Sequence, residues 1–155
     1  MGNFTAIVDS PVGHFGVRGS TAGVLEILLP PDRPRPSAGR APAPVAAAAR
    51  QLAEYLAGGR TTFAVDFGEI AATPFQRAVW AALAEIPYGE VRTYAEVAAA
   101  IGRPLAARAV GNANHHNPWP VVVPCHRVVA ASGLGGYGGG DSLKRYLLAL
   151  EGVSL

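Results

Sequence analysis

Six of the residues from Pro30 to Pro44 are prolines. A proline has no backbone N–H to give to a sheet ladder, and its ring obstructs a helix interior, so this stretch has to be loop. Ahead of it, Phe4 to Asp9, His14 to Arg18 and Val24 to Leu29 read as three strands. The turns Ser10–Gly13 and Gly19–Gly23 separate them, which predicts a small antiparallel sheet. After the loop, the alanine-rich run Val45 to Ala57 predicts a helix stopped by Gly58 and Gly59, with Val45, Leu52, Tyr55 and Leu56 as an apolar stripe. Thr62 to Phe67 alternates like a further strand returning to the same sheet. Together these elements predict an N-terminal lobe, residues 1–72, with 30–44 as its exposed loop.

Residues 73–155 read as mostly helical. Thr73 is an N-cap, with Pro74 at the first helical position and Gln76 at the third. Phe75, Val79, Leu83 and Ile86 recur on one face before Pro87-Tyr88-Gly89 stops the helix. Thr93 and Glu96 form a second capping box, and Gly102 ends that helix. Arg103-Pro104 predicts the opening of a third, running to about Ala113. Two short helices joined by a glycine-containing turn predict a helix-turn-helix. Val121 to Val123 is expected to be a short buried strand, and Ser132 to Gly140 a glycine-rich loop whose backbone approaches a ligand. A last helix, capped by Asp141 or Ser142, should turn Leu143, Leu147 and Leu150 inward. The fold class expected is α+β: a small antiparallel-sheet lobe with a helix, then a mostly helical lobe containing the helix-turn-helix.

Half of the residues are hydrophobic, enough for a core, yet no apolar run approaches the length of a membrane span. The N-terminus has no basic patch followed by an apolar stretch, so no secretory signal is expected. Net charge is +2, and residues 74–155 carry that excess, with seven basic and five acidic side chains. The imbalance suits an anionic partner but is small. Lysine occurs once, at Lys144.

The chain has one cysteine, Cys125, in the run Pro120-Val-Val-Val-Pro-Cys-His-Arg-Val-Val129. A lone thiol forms no internal disulfide and no multi-cysteine metal site, and it fits a reducing, cytoplasmic location. Beside His126 it is a candidate nucleophile, since a thiol works as thiolate and an imidazole can take its proton. The plain alternative is a buried structural cysteine next to a surface histidine.

The string Pro124-Cys-His-Arg-Val128 resembles the active-site signature of the O6-alkylguanine-DNA alkyltransferases, the methylated-DNA–protein-cysteine methyltransferases. Phe75-Gln-Arg-Ala-Val-Trp80, Ile86-Pro-Tyr-Gly-Glu90, Thr93-Tyr-Ala-Glu96, Ala106-Ala-Arg-Ala-Val-Gly111, Asn117-Pro118 and Gly136-Tyr-Gly-Gly139 follow the family's order and approximate spacing. The resemblance is firm over residues 73–152 and extends only to general layout before that.

The resemblance implies DNA repair by stoichiometric, irreversible transfer of the alkyl group from O6-alkylguanine, and from O4-alkylthymine, in duplex DNA to Cys125. It implies that His126 takes the thiol proton through a water and that Glu151 orients His126. Tyr94 matches the tyrosine that donates to the departing base and crowds the 3′ phosphate. Arg108 matches the arginine finger that fills the space of a flipped-out nucleotide, on a helix that enters the minor groove. Ala106, Ala107, Ala109 and Gly111 would let that helix approach closely. The carbonyls of Cys125 and Val128 would accept from the exocyclic amine, Gly138 N–H would donate toward O6, and Pro120 and Tyr137 would wall the pocket. Asn117 matches the asparagine that ties the recognition helix to the active-site turn. Arg127 and Arg77 are left between structural pairing and phosphate contact.

No cofactor is implied, because the lesion is itself the electrophile, and the protein is expected to act as a monomer without a membrane. Some members bind a structural zinc in the N-terminal lobe. Here that lobe has no cysteine and only His14, so no metal is expected, and adjacent His115 and His116 read as surface residues. Gly138 after the pocket tyrosine and the bulky Trp119 depart from the family and bear on the alkyl groups tolerated. Two other classes stay open: a helix-turn-helix binder or lesion sensor, whose sensor relatives lack the acceptor cysteine, and a Cys–His hydrolase, which would turn over many times.

Overall fold

The computed structural model describes residues 2–155, in two compact units, Met1–Ile70 and Ala71–Leu155.

In the first unit, β1 (Phe4–Ser10), β2 (Gly13–Ser20) and β3 (Gly23–Leu28) form an antiparallel sheet in the order β1-β2-β3. Helix α1 (Ala43–Leu56) packs on all three strands and buries Val45, Ala48, Leu52, Tyr55 and Leu56. The proline-rich segment is loop only in part. Pro30–Asp32 is a single 3-10 turn, and α1 already begins at Ala43, with proline in its first turn, where a missing N–H costs nothing. Ser37 fastens the loop to β1: its N–H donates to the Thr5 carbonyl and its hydroxyl accepts from Thr5 N–H, each at 2.9 Å.

Thr62 to Phe67 is not a strand. It meets the sheet at one parallel bridge, Val24 with Phe67. Its backbone is met instead by a side chain: the Gln51 amide donates to the Ala64 carbonyl at 2.9 Å and accepts from Ala64 N–H at 2.8 Å. One buried amide on α1 thus does locally what a neighbouring strand would do.

In the second unit, α2 (Pro74–Ala84) and α3 (Tyr94–Ala100) start at the two expected capping boxes, Thr73 with Gln76 and Thr93 with Glu96. Helix α4 (Ala107–His115) begins later than Arg103-Pro104 suggested. The residues after Gly102 make a separate turn, closed by Ala106 N–H donating to the Arg103 carbonyl at 2.9 Å. Helix α4 packs on α2 and α3, and the Trp80 indole donates to the Ala113 carbonyl at 2.9 Å across that contact.

Val121 to Val123 form a turn and not a strand. Val121 sits at φ 73, and Val123 N–H returns to the Trp119 carbonyl at 2.8 Å. The pairing lies further on, where β4 (Arg92–Thr93) runs parallel to β5 (Val128–Val129). The last helix, α5 (Asp141–Leu150), is preceded by Gly140 as N-cap, with no capping side chain from Asp141 or Ser142. Its buried residues are Leu143, Lys144, Leu147 and Leu148, so Leu148 takes the inward place expected of Leu150. Among the described residues no helix is long and apolar enough to cross a membrane.

Candidate active site

Cys125, His126 and Arg127 occupy one 3-10 turn, and all three are buried. Because β5 leaves this turn and pairs with β4, the start of α3, where Tyr94 stands, is carried alongside it. The parallel pair is only two residues long on each side, yet it sets the register between the cysteine turn and the tyrosine.

Glu151, the residue closing α5, is the hub of the cluster. It accepts from His126 Nε2 at 2.7 Å, from Arg127 Nε at 2.8 Å and Nη2 at 2.9 Å, and from Gly89 N–H at 3.1 Å. Arg127 also donates to the Ile86 carbonyl at 2.7 Å and lies over the Tyr88 ring, 5.7 Å from its centroid. The guanidinium therefore neutralises the carboxylate, which resolves Arg127 as a structural partner. Burial pushes the His126 imidazole below its ordinary value; Glu151 opposes that shift, and the charges of Arg127 and Lys144 add to it. A neutral ring bonded to a carboxylate through Nε2 carries its proton there, which makes Nδ1 the basic nitrogen.

Burial pushes the Cys125 thiol up. The opposing influences are a hydrogen bond from the Asn117 side chain, the charge of Lys144, and backbone hydrogen bonds from Cys125 itself and Val121. Val121 is β-branched and left-handed, a conformation that costs roughly 1–3 kcal/mol and persists where the surroundings over-determine it. Burial thus favours the protonated sulfur, while the groups around it favour the anion.

Asn117 also donates to the Val123 carbonyl at 2.8 Å and accepts from Trp119 N–H at 3.0 Å, which shapes the turn leading to Cys125. A second asparagine joins α4 itself to the site: Asn114 donates to the Cys125 carbonyl at 3.3 Å. Trp119 is buried edge-on to Trp80, ring centroids 6.0 Å apart, and is part of the helical core.

Tyr94 is half-buried, its hydroxyl 3.5 Å from the Gly136 carbonyl, and burial raises its phenol above the usual range. Gly135, at φ 76, lies directly beneath it: a Cβ there would stand 3.0 Å from the Tyr94 hydroxyl and from Ala130 N. Lys144, fully buried on α5, donates from Nζ to the Val128 carbonyl at 2.6 Å and the Gly136 carbonyl at 3.0 Å. Both carbonyls expected to read the base amine, those of Cys125 and Val128, therefore already hold a side-chain donor, and that of Cys125 also accepts from Val128 N–H at the end of the turn.

Of the remaining expected residues, Pro120 is buried, Tyr137 half-buried and Gly138 exposed on the glycine-rich loop. Ala106 is the N-cap of α4, Ala107 is partly exposed, and Gly111 faces the Tyr94 ring. Arg108 is exposed on α4 and makes none of the hydrogen bonds of the cluster. Glu151, His126, Cys125, Asn117 and Tyr94 are brought together. Arg127, Lys144, Asn114 and Gly89 join them without having been assigned a place from sequence. For Lys144 a signal was there: it falls on the same α5 face as Leu147 and Leu148, an inward register for a charged residue.

The family model for the DNA-binding domain of 6-O-methylguanine DNA methyltransferase matches residues 74–153. A methylated-DNA–protein-cysteine methyltransferase of Mycolicibacterium paratuberculosis is 47% identical over 148 residues, 93% of this chain and 89% of that protein. The constitutive one of Bacillus subtilis is 51% identical over 112 residues, 71% of this chain and 67% of that protein. The crystal structure of the Mycobacterium tuberculosis protein in complex with DNA superposes with a TM-score of 0.83 at 44% identity, covering 98% of this chain and 93% of that one. On that match and those relatives, the chain belongs to the methylated-DNA–protein-cysteine methyltransferase family.

Proposed function

We propose that this chain repairs alkylated duplex DNA by moving the alkyl group from guanine O6 to Cys125 Sγ, once per molecule. The support is the hub at Glu151, which joins His126 and Arg127 of the cysteine turn on one carboxylate. The thiol proton leaves Cys125 for His126 Nδ1 through one water. The sulfur then forms a bond to the alkyl carbon as the bond from that carbon to O6 breaks, and the electron pair goes to guanine. Tyr94 donates to the departing base as its negative charge grows. The proton taken by His126 passes on through solvent to the guanine ring, so the products are a thioether and an unmodified guanine, with no co-reactant required.

In this reading α4 enters the minor groove, Ala106, Ala107 and Gly111 allow its close approach, and Arg108 fills the gap left by the flipped nucleotide. Pro120, Tyr137, Gly138 and the carbonyls of Cys125 and Val128 receive the base. O4-alkylthymine takes the same route. The acceptor and DNA-binding functions belong to residues 73–155. A single unpaired thiol suits a monomer working in the reducing cytoplasm.

Intact mass after incubation with an oligonucleotide carrying O6-methylguanine is the direct test. One added methyl per chain, absent from Cys125→Ser, is expected; sustained release of product by a catalytic amount of protein would point to a hydrolase instead.

A further inference from the structure

Lys144 is the one lysine of the chain, and its side chain is fully buried on the inner face of α5. An ammonium out of water is costly unless strong acceptors meet it. Two do, and they lie on different segments. Val128 begins β5, which leaves the Cys125–Arg127 turn, and Gly136 belongs to the glycine-rich loop carrying Tyr137 and Gly138. One Nζ therefore spans the two walls between which the proposed function places the base.

The charged and titratable groups around this ammonium come from three elements. Cys125 and His126 stand on the 3-10 turn, Asp141 on the first turn of α5, and Tyr94 at the start of α3, its hydroxyl near the same Gly136 carbonyl. Of these, the Cys125 sulfur is the one that turns from neutral to anionic on the way to the product.

We propose that Lys144 is a positioning residue for alkyl transfer, its ammonium tying the two walls of the base pocket together and its charge stabilising the Cys125 thiolate as the proton leaves. The inference rests on the repair reading above. Lys144 gives up no atom: the thiol proton passes to His126, and the ammonium keeps its own three. A positive charge near a sulfur in low dielectric favours the anion far more than it would in water. Burial brings Lys144 down to about 8, while Cys125 and Asp141 pull it the other way. Its charge is therefore present below that pH and is lost above it.

Lys144→Met keeps the length and apolar stem and removes the charge. Its reaction with iodoacetamide, which needs no base recognition, and with O6-benzylguanine is followed from pH 6 to 10. The expected result is a thiol ionisation midpoint raised by about one pH unit and a rate at pH 7 lowered about tenfold. The parent's benzylguanine rate should rise less steeply with pH above about 8, where the ammonium is lost, and the variant's should show no such bend. A folded variant with the parent's midpoint and rate would overturn the proposal. Should the variant not fold, the parent itself carries the test, because a single lysine gives a single resonance after 13C labelling at Cε. That resonance should titrate near 8 and at lower pH in Cys125→Ser. The same midpoint in both proteins would also overturn it. Methyl transfer by the parent, read by mass, reports the repair reading separately, so normal repair with an uncoupled Lys144 defeats this inference alone.

Discussion

Arg127 and Glu151 are joined by two parallel hydrogen bonds, Nε to Oε1 at 2.8 Å and Nη2 to Oε2 at 2.9 Å, both side chains nearly or wholly out of water. The carboxylate therefore meets His126 with its charge already answered. It can orient the imidazole without forcing a proton onto it, and an unprotonated imidazole is what a general base has to be.

Arg127→Leu should cost about 3–5 kcal/mol of stability, since it leaves a buried carboxylate without its cation. It should also raise the pH at which His126 loses its proton, because Glu151 would then attract that proton unopposed. Urea unfolding reads the first effect, and the pH dependence of the O6-benzylguanine reaction reads the second. Arg127→Lys, which offers one point charge in place of a fork, should fall between parent and leucine variant.

The direction of the His126 shift fixes how stability depends on pH. A histidine held below its unfolded value binds fewer protons folded than unfolded once the pH is under about 6.5. Its contribution is therefore fully present above that pH and is lost as pH falls, with a slope of up to about 1.4 kcal/mol per pH unit. Urea melts between pH 5 and 8 should show a shallower acid decline for His126→Gln than for the parent. Equal slopes would mean that the imidazole is not held neutral.

Gly135→Ala should displace Tyr94. Its left-handed φ of 76 and the 3.0 Å approach of a Cβ to the tyrosine hydroxyl act together. The backbone part alone costs about 1–2 kcal/mol. Alkyl transfer should slow further than the loss of folded protein explains, and Tyr94→Phe made in the Gly135→Ala background should add little. A full additional loss from that second change would show that the two residues act apart.

Arg108→Ala should leave stability within about 0.5 kcal/mol of the parent, because the side chain is exposed. Repair of methylated duplex should fall more than reaction with free O6-benzylguanine, which has no stack to leave. Equal losses with both substrates would remove Arg108 from the role of finger.

What could be read ahead of the structure follows from how far each interaction reaches along the chain. The boxes at Thr73 with Gln76 and Thr93 with Glu96 close within three residues, so their helices start where the sequence places them. Thr62 to Phe67 has the alternation of a strand, but its partner is an amide thirteen residues back, Gln51, which no alternation encodes. Val121 to Val123 has the β-branched composition of a strand, whereas the turn into Cys125 needs Val121 left-handed. Cys125, His126 and Glu151 were legible through the family signature; Arg127 and Lys144 were not assigned a place, because a buried cation and a solvated one are spelled alike. Only the register of Lys144 along α5 separates the two.

The seclusion of Cys125 has a bearing on selectivity in a cell full of stray electrophiles. A sulfur covered by its surroundings and pushed toward the protonated form is a poor target for oxidants and adventitious alkylating agents. For a molecule that acts a single time, this latency ensures that its one reaction is the intended one.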